Sequence, residues 1–131
     1  MAIHATFTVG SWDEEPLWEG PDGRKVTRAT VEQTVEGDAS GTGTAHWLMA
    51  YRADGTADYL GLQLLDGAAD GRQGTLVLRS AGTFDGTMAH GQLEVIDGTG
   101  ELAGMSGTGT FEAPHGSVAN VELELTGAKV R

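Results

Sequence analysis

The chain has 131 residues, 39% of them hydrophobic, which suits one small domain and leaves little room for a second core. Eight Lys and Arg against 19 Asp and Glu give a net charge of −11, which repels phosphate backbones and anionic headgroups, so neither nucleic acid nor a membrane surface is expected as a partner. The lack of cysteine excludes disulfides, thiolate nucleophiles and Cys-ligated zinc.

Ile3 to Trp12 opens the chain with Ile3, Ala5, Phe7 and Val9 alternating against His4, Thr6 and Thr8, a half-buried strand. No basic and apolar leader precedes it, and no apolar run nears the roughly 18 residues of a spanning helix, so a cytoplasmic location is expected. Ser11 to Lys25 is polar and broken by Pro and Gly, and it reads as a long loop over one end of the fold, with Trp12 and Trp18 as plugs or as a lid. Val26 to Glu36 is the second strand, with Thr27, Ala29, Val31, Gln33 and Val35 on one face.

Gly41 to Leu65 carries the strongest local signal. Two long period-2 segments flank Asp54-Gly55, a hairpin turn. One face holds Ala45, Trp47, Met49 and Tyr51, then Tyr59, Gly61, Gln63 and Leu65; the other holds Asp58, Leu60, Leu62 and Leu64. Asp66 to Gly71 reads as a turn. Gln73 to Phe84 and Thr87 to Ile96 are the next strands, joined at Asp85-Gly86. A compact connection at 98–104 with one helical turn, a Gly-rich strand Ser106 to Ala113, a turn at Pro114-His115-Gly116 and a strand Val118 to Lys129 complete the chain.

These patterns predict an all-β fold of about eight antiparallel strands with short turns and little helix. Closing such a sheet into a barrel hides its edges and leaves space for side chains or one small ligand. The same alternation allows a sandwich.

Several blocks carry a family resemblance. Ser11-Trp12-Asp13-Glu14, the stretch from Leu48 to Ala57, Gly82-Thr83-Phe84-Asp85-Gly86, Gly98 to Gly104 and Phe111 to Gly116 occur in the order of the bacterial DUF3224 family of unknown function, which the chain resembles over nearly its whole length. The resemblance implies a small eight-stranded barrel similar to allene oxide cyclase, with an internal pocket and a homodimer or homotrimer, and it transfers no reaction. It also implies an acidic residue where this chain has Gln63 and a His where it has Ser80, a departure from the family pattern at two positions that are both candidate ligand-binding residues.

Other motifs fail on context. Gly98, Gly100 and Ala103 match a dinucleotide fingerprint without the strand and long helix it needs. Gly104 to Thr108 lacks the spacing of a nucleophile elbow. The four histidines lack metal spacing, and Asp13, Glu14, Glu15 and Glu19 lack the alternation of a calcium loop, so no metal and no cofactor is expected.

What remains is an aromatic wall. Trp47, Met49, Tyr51, Tyr59 and Gln63 form a mostly apolar surface with a phenol and an amide, the makeup of a small-molecule pocket, although Trp47 and Met49 equally suit an ordinary core. Trp12, Glu112 and His115 are placed at its mouth. The leading expectation is a barrel that binds a small apolar or amphipathic organic molecule. The alternatives are a cofactor-free cyclase or isomerase, with Tyr51, His115 and Glu112 as candidate catalytic residues, and a non-catalytic oligomerising barrel.

Overall fold

The period-2 segments become eight strands: β1 (Ala2–Glu19), β2 (Lys25–Gly37), β3 (Ala39–Tyr51), β4 (Ala57–Ala69), β5 (Arg72–Phe84), β6 (Ala89–Gly98), β7 (Ser106–Ala113) and β8 (Val118–Thr126). In this computed structural model, which describes residues 2–113 and 118–127, each strand pairs antiparallel with the next and β8 returns to β1, closing the ring. The only helix among the described residues is two single 3-10 turns, Pro21–Gly23 and Gly100–Leu102. The alternation assigns the faces as expected: Ala45, Trp47, Met49, Tyr59, Gln63 and Leu65 are buried, while Leu60, Leu62 and Leu64 lie outside.

Two boundaries differ from the sequence reading. Ser11 to Glu19 is not a loop but the continuation of β1, paired with β2 from Ser11↔Glu32 to Glu19↔Lys25. Pro16 is tolerated there because, among the described residues, β8 pairs β1 over Ala2–Thr8 and this half of β1 has a neighbour on one side. A bulge at Gly10 separates the two halves, and it changes which residues face inward, from Ile3, Ala5, Phe7 and Val9 to the even positions Trp12 and Glu14. The turn predicted over Asp66–Gly71 shrinks to Asp70-Gly71, because Asp66–Ala69 remains paired with both β3 and β5. The predicted turn at Pro114-His115-Gly116 lies outside the described residues.

The interior is uneven along its axis. At the end where the turn after β6 folds in, Val35, Leu76, Leu78, Leu102 and Leu125 are all below 2% exposed and pack into a continuous aliphatic plug. The opposite end, where β1–β2, β3–β4 and β5–β6 turn, is lined by aromatic residues and is hollow. The turns on this rim are tied by their own side chains: Asp54 Oδ1 accepts from the Thr56 amide at 3.0 Å, and Asp85 Oδ1 accepts from the Thr87 and Met88 amides at 2.9 Å.

Outside, ion pairs such as Arg79–Glu94 and Arg52–Asp58 decorate the strands. Leu48, Leu60, Leu62 and Leu64 break this polar cover with an exposed apolar stripe along β3 and β4.

Candidate functional site

The hollow end holds a cavity of about 240 Å³. The chain has three Trp, two Tyr and three Phe, and seven of these eight aromatic side chains line this one cavity, Trp18 being the exception. Four of them form a connected run. Ring centroids lie 5.8 Å apart for Trp12–Trp47, 5.6 Å for Trp47–Tyr59 and 6.0 Å for Tyr59–Phe111, each pair tilted as aromatic quadrupoles favour. Met49, Gln33 and Gln63 add a thioether and two amides, and Ala89, Ala113 and Ala119 leave the space open.

Of the residues named from sequence, Trp12, Trp47, Met49, Tyr51, Tyr59 and Gln63 come together on this wall. Three do not. Ser80 is on the inner face of β5 but fully buried away from the cavity, with its hydroxyl unpartnered. Glu112 is exposed on the outer face of β7, since Phe111 and Ala113 on either side of it take the inward positions. His115 lies outside the described residues. Of the remaining histidines, His46 is exposed, as its phase against Trp47 requires. No group of three or more His, Asp or Glu able to hold a metal ion assembles among the described residues.

Sequence reasoning missed two residues. One is Glu14, dismissed with its acidic neighbours as a solvated loop. Once the Gly10 bulge turns it inward, its carboxylate becomes the acceptor for three strands. The Tyr51 hydroxyl donates to Oε2 at 2.7 Å, the Thr27 hydroxyl donates to Oε2 at 2.5 Å, and the Trp12 indole N–H donates to Oε1 at 2.9 Å. Burial raises the Glu14 pKa, but the hydrogen bonds from Thr27, Tyr51 and Trp12 and the Lys25 charge more than offset this and hold it below its ordinary 4.5. The Tyr51 phenol moves the other way. Burial, then the hydrogen bond and charge of Glu14, push it well above its ordinary 10.0, so it stays protonated as a donor. Lys25 Nζ stands over the Tyr51 ring, 4.9 Å from its centroid. The half of β1 beyond the bulge is thereby fastened over the cavity mouth.

The other missed residue is Gln33, whose Oε1 accepts from Gln63 Nε2 at 3.2 Å within the cavity wall. The Trp47 indole N–H is sealed in the wall without a partner.

The Glu14 junction sets a pH dependence with a definite sign. Its folded pKa lies below the unfolded value, so the stability it contributes is present at neutral pH and lost as pH falls through the folded pKa, below about 4.5. Glu14→Gln puts an NH2 donor in place of one carboxylate oxygen, against either the Trp12 indole N–H or the Thr27 and Tyr51 hydroxyls. Its Tm should therefore fall below that of the unaltered protein at pH 7, and the gap should narrow as both are acidified toward about pH 3. Thermal melts by circular dichroism across that range check this; a gap independent of pH would remove the carboxylate from the junction.

The chain matches the model of a protein family of unknown function, DUF3224, over residues 3–125. It is also similar to the crystal structure of a DUF3224 protein of unknown function from Shewanella oneidensis MR-1, with a TM-score of 0.76 and 25% identity, covering 99% of this chain and 100% of that one. No curated protein matches it. No helix among the described residues is long and apolar enough to cross a membrane. With a family match spanning nearly all of its strands, the chain belongs to the DUF3224 family.

Proposed function

We propose that the barrel binds a small apolar or amphipathic organic molecule in its lumen. The observation that carries this is the distribution of aromatic residues: seven of eight surround one hollow, while the other end of the same barrel is filled by aliphatic side chains. A barrel selected only to fold would fill both ends. Left dry, a void of this size forfeits on the order of 6 kcal/mol at about 24 cal/mol per Å³, comparable with the whole net stability of a domain. Aromatic walls with a few oriented polar groups are the usual makeup of small-molecule sites.

A cofactor-free cyclase or isomerase is the second reading. Confinement of a flexible substrate suits it, and Tyr51 brings a phenol hydroxyl to the cavity wall. The electrostatics favour binding over acid/base work. Glu14 is held ionised with its oxygens already accepting three hydrogen bonds, and the Tyr51 proton is held tightly, so neither is poised near neutral pH. Self-association is compatible with either reading, and the apolar stripe of Leu48, Leu60, Leu62 and Leu64 supports a homodimer or homotrimer.

The test is saturable enhancement of N-phenylnaphthylamine fluorescence, an uncharged probe. One site per chain is expected. Ala119→Trp or Ala113→Trp, each filling the lumen from a different strand, should weaken the probe by at least about tenfold while circular dichroism shows the fold intact. Unchanged binding in both folded variants would place the probe elsewhere and end the proposal.

A further inference from the structure

The polar groups of the cavity are few, neutral and only half used. Gln33 on β2 and Gln63 on β4 meet across β3, which presents Gly43 opposite Gln33 and Ala45 opposite Gln63. A Cβ at position 43 would lie 3.3 Å from Gln33 Oε1, so small residues on the intervening strand are what let the two amides touch. Their contact uses one donor and one acceptor. The amide NH2 of Gln33 and the carbonyl of Gln63 have no further partner among the described residues, and the Tyr59 hydroxyl has none either. Exchanging oxygen and nitrogen in both amides leaves the same inventory, one NH2 and one carbonyl. Gln33, Gln63 and Tyr59 are each 6% exposed, and all three line the cavity.

Buried polar groups as a rule find partners. Beside the sealed Trp47 N–H, three unmatched groups face the cavity, and two of them, a donor and an acceptor held together, form a template for a complementary acceptor and donor. Charge narrows the class further. Among the described residues no cationic side chain lines the cavity, the Glu14 carboxylate stands behind Tyr51 and Trp12 at its mouth, and the chain carries −11. An anionic ligand is disfavoured on all three counts. Lys25, the cation that stands over the Tyr51 ring, is exposed and already acts on Glu14.

We propose that the lumen recognises an uncharged ring compound whose head carries a carbonyl beside an N–H or O–H, as in a lactam. The head meets Gln33, Gln63 and Tyr59, and the ring lies against Trp47 and Phe111. This rests on the lumen-binding reading above.

A size-matched series tests it by displacement of N-phenylnaphthylamine: oxindole (lactam), indane (hydrocarbon), indane carboxylate (anion) and aminoindane (cation). Oxindole should displace the probe at a concentration at least tenfold below indane, with the carboxylate weakest. In the double variant Gln33→Leu/Gln63→Leu, which removes both amides together, and in the milder Tyr59→Phe, the advantage of oxindole over indane should shrink while indane still binds. Several results overturn the proposal: equal displacement by oxindole and indane, as water filling the polar groups would give; aminoindane as the best competitor; or an oxindole preference that survives in the folded variants. In each of these the lumen reading stands. Failure of the probe itself to bind brings down that reading as well.

Discussion

Leu76→Ala should lower stability by about 3 kcal/mol, and Met49→Ala by about half of that. Both are apolar and buried, at 0% and 6% exposure, so burial alone ranks them together. Their surroundings separate them. Leu76 sits in the aliphatic plug with Leu78, Leu102 and Leu125, where the ring of strands prevents collapse and truncation leaves a new void. Met49 borders the existing cavity, so its removal enlarges a space already there and adds mainly the lost transfer term. For a chain of this length the two costs correspond to about 10 °C and about 5 °C in Tm. Equal losses in thermal and urea melts would mean that the two ends are packed alike, and the division between plug and hollow would fall.

Gly61→Ala should cost about 2–3 kcal/mol, a large effect for one added methyl. Gly61 faces inward on β4 directly opposite Trp47. A Cβ there would stand 1.9 Å from the His46 carbonyl oxygen and 2.9 Å from the Trp47 Cα, both backbone atoms that yield only if β3 and β4 separate. Because Trp47 is at the centre of the aromatic run, the same displacement should weaken N-phenylnaphthylamine binding. Gly10→Ala is the control. Its added Cβ meets only the Glu32 oxygen at an ordinary 3.6 Å, so a change within about 0.5 kcal/mol is expected. Comparable losses in the two variants would show that the close approach at Gly61 is relieved at no cost.

Most of the ring was legible because its signal is local. Alternation placed Trp47, Met49, Tyr59 and Gln63 on the inner face and Leu60 and Leu62 on the outer, and the Asp-Gly pairs marked turns at Asp54 and Asp85. What escaped depends on events that alternation does not record. The single extra residue at Gly10 reverses the phase of β1, and without it Glu14 reads as one more solvated acid. Asp66–Ala69 has no strand propensity of its own; it is held extended between β3 and β5, with Ala69 wholly buried. The Gln33–Gln63 contact required knowing that β2 and β4 flank β3 with small residues between them. Glu112 was a different case. The inward phase of Phe111 already turned it outward, so its placement at the mouth conflicted with the pattern of its own strand.

Among the described residues, the half of β1 that covers the mouth has β2 on one side only, so its other margin offers backbone donors and acceptors to any extended chain that drifts near. Pro16 cannot donate there, the irregularities at Gly10 and Leu17 spoil the spacing a recruited strand would need, and Asp13, Glu15 and Glu19 repel an approaching copy of this acidic chain. The composition that disguises this segment as a loop is therefore what guards the barrel against polymerising through its own cover.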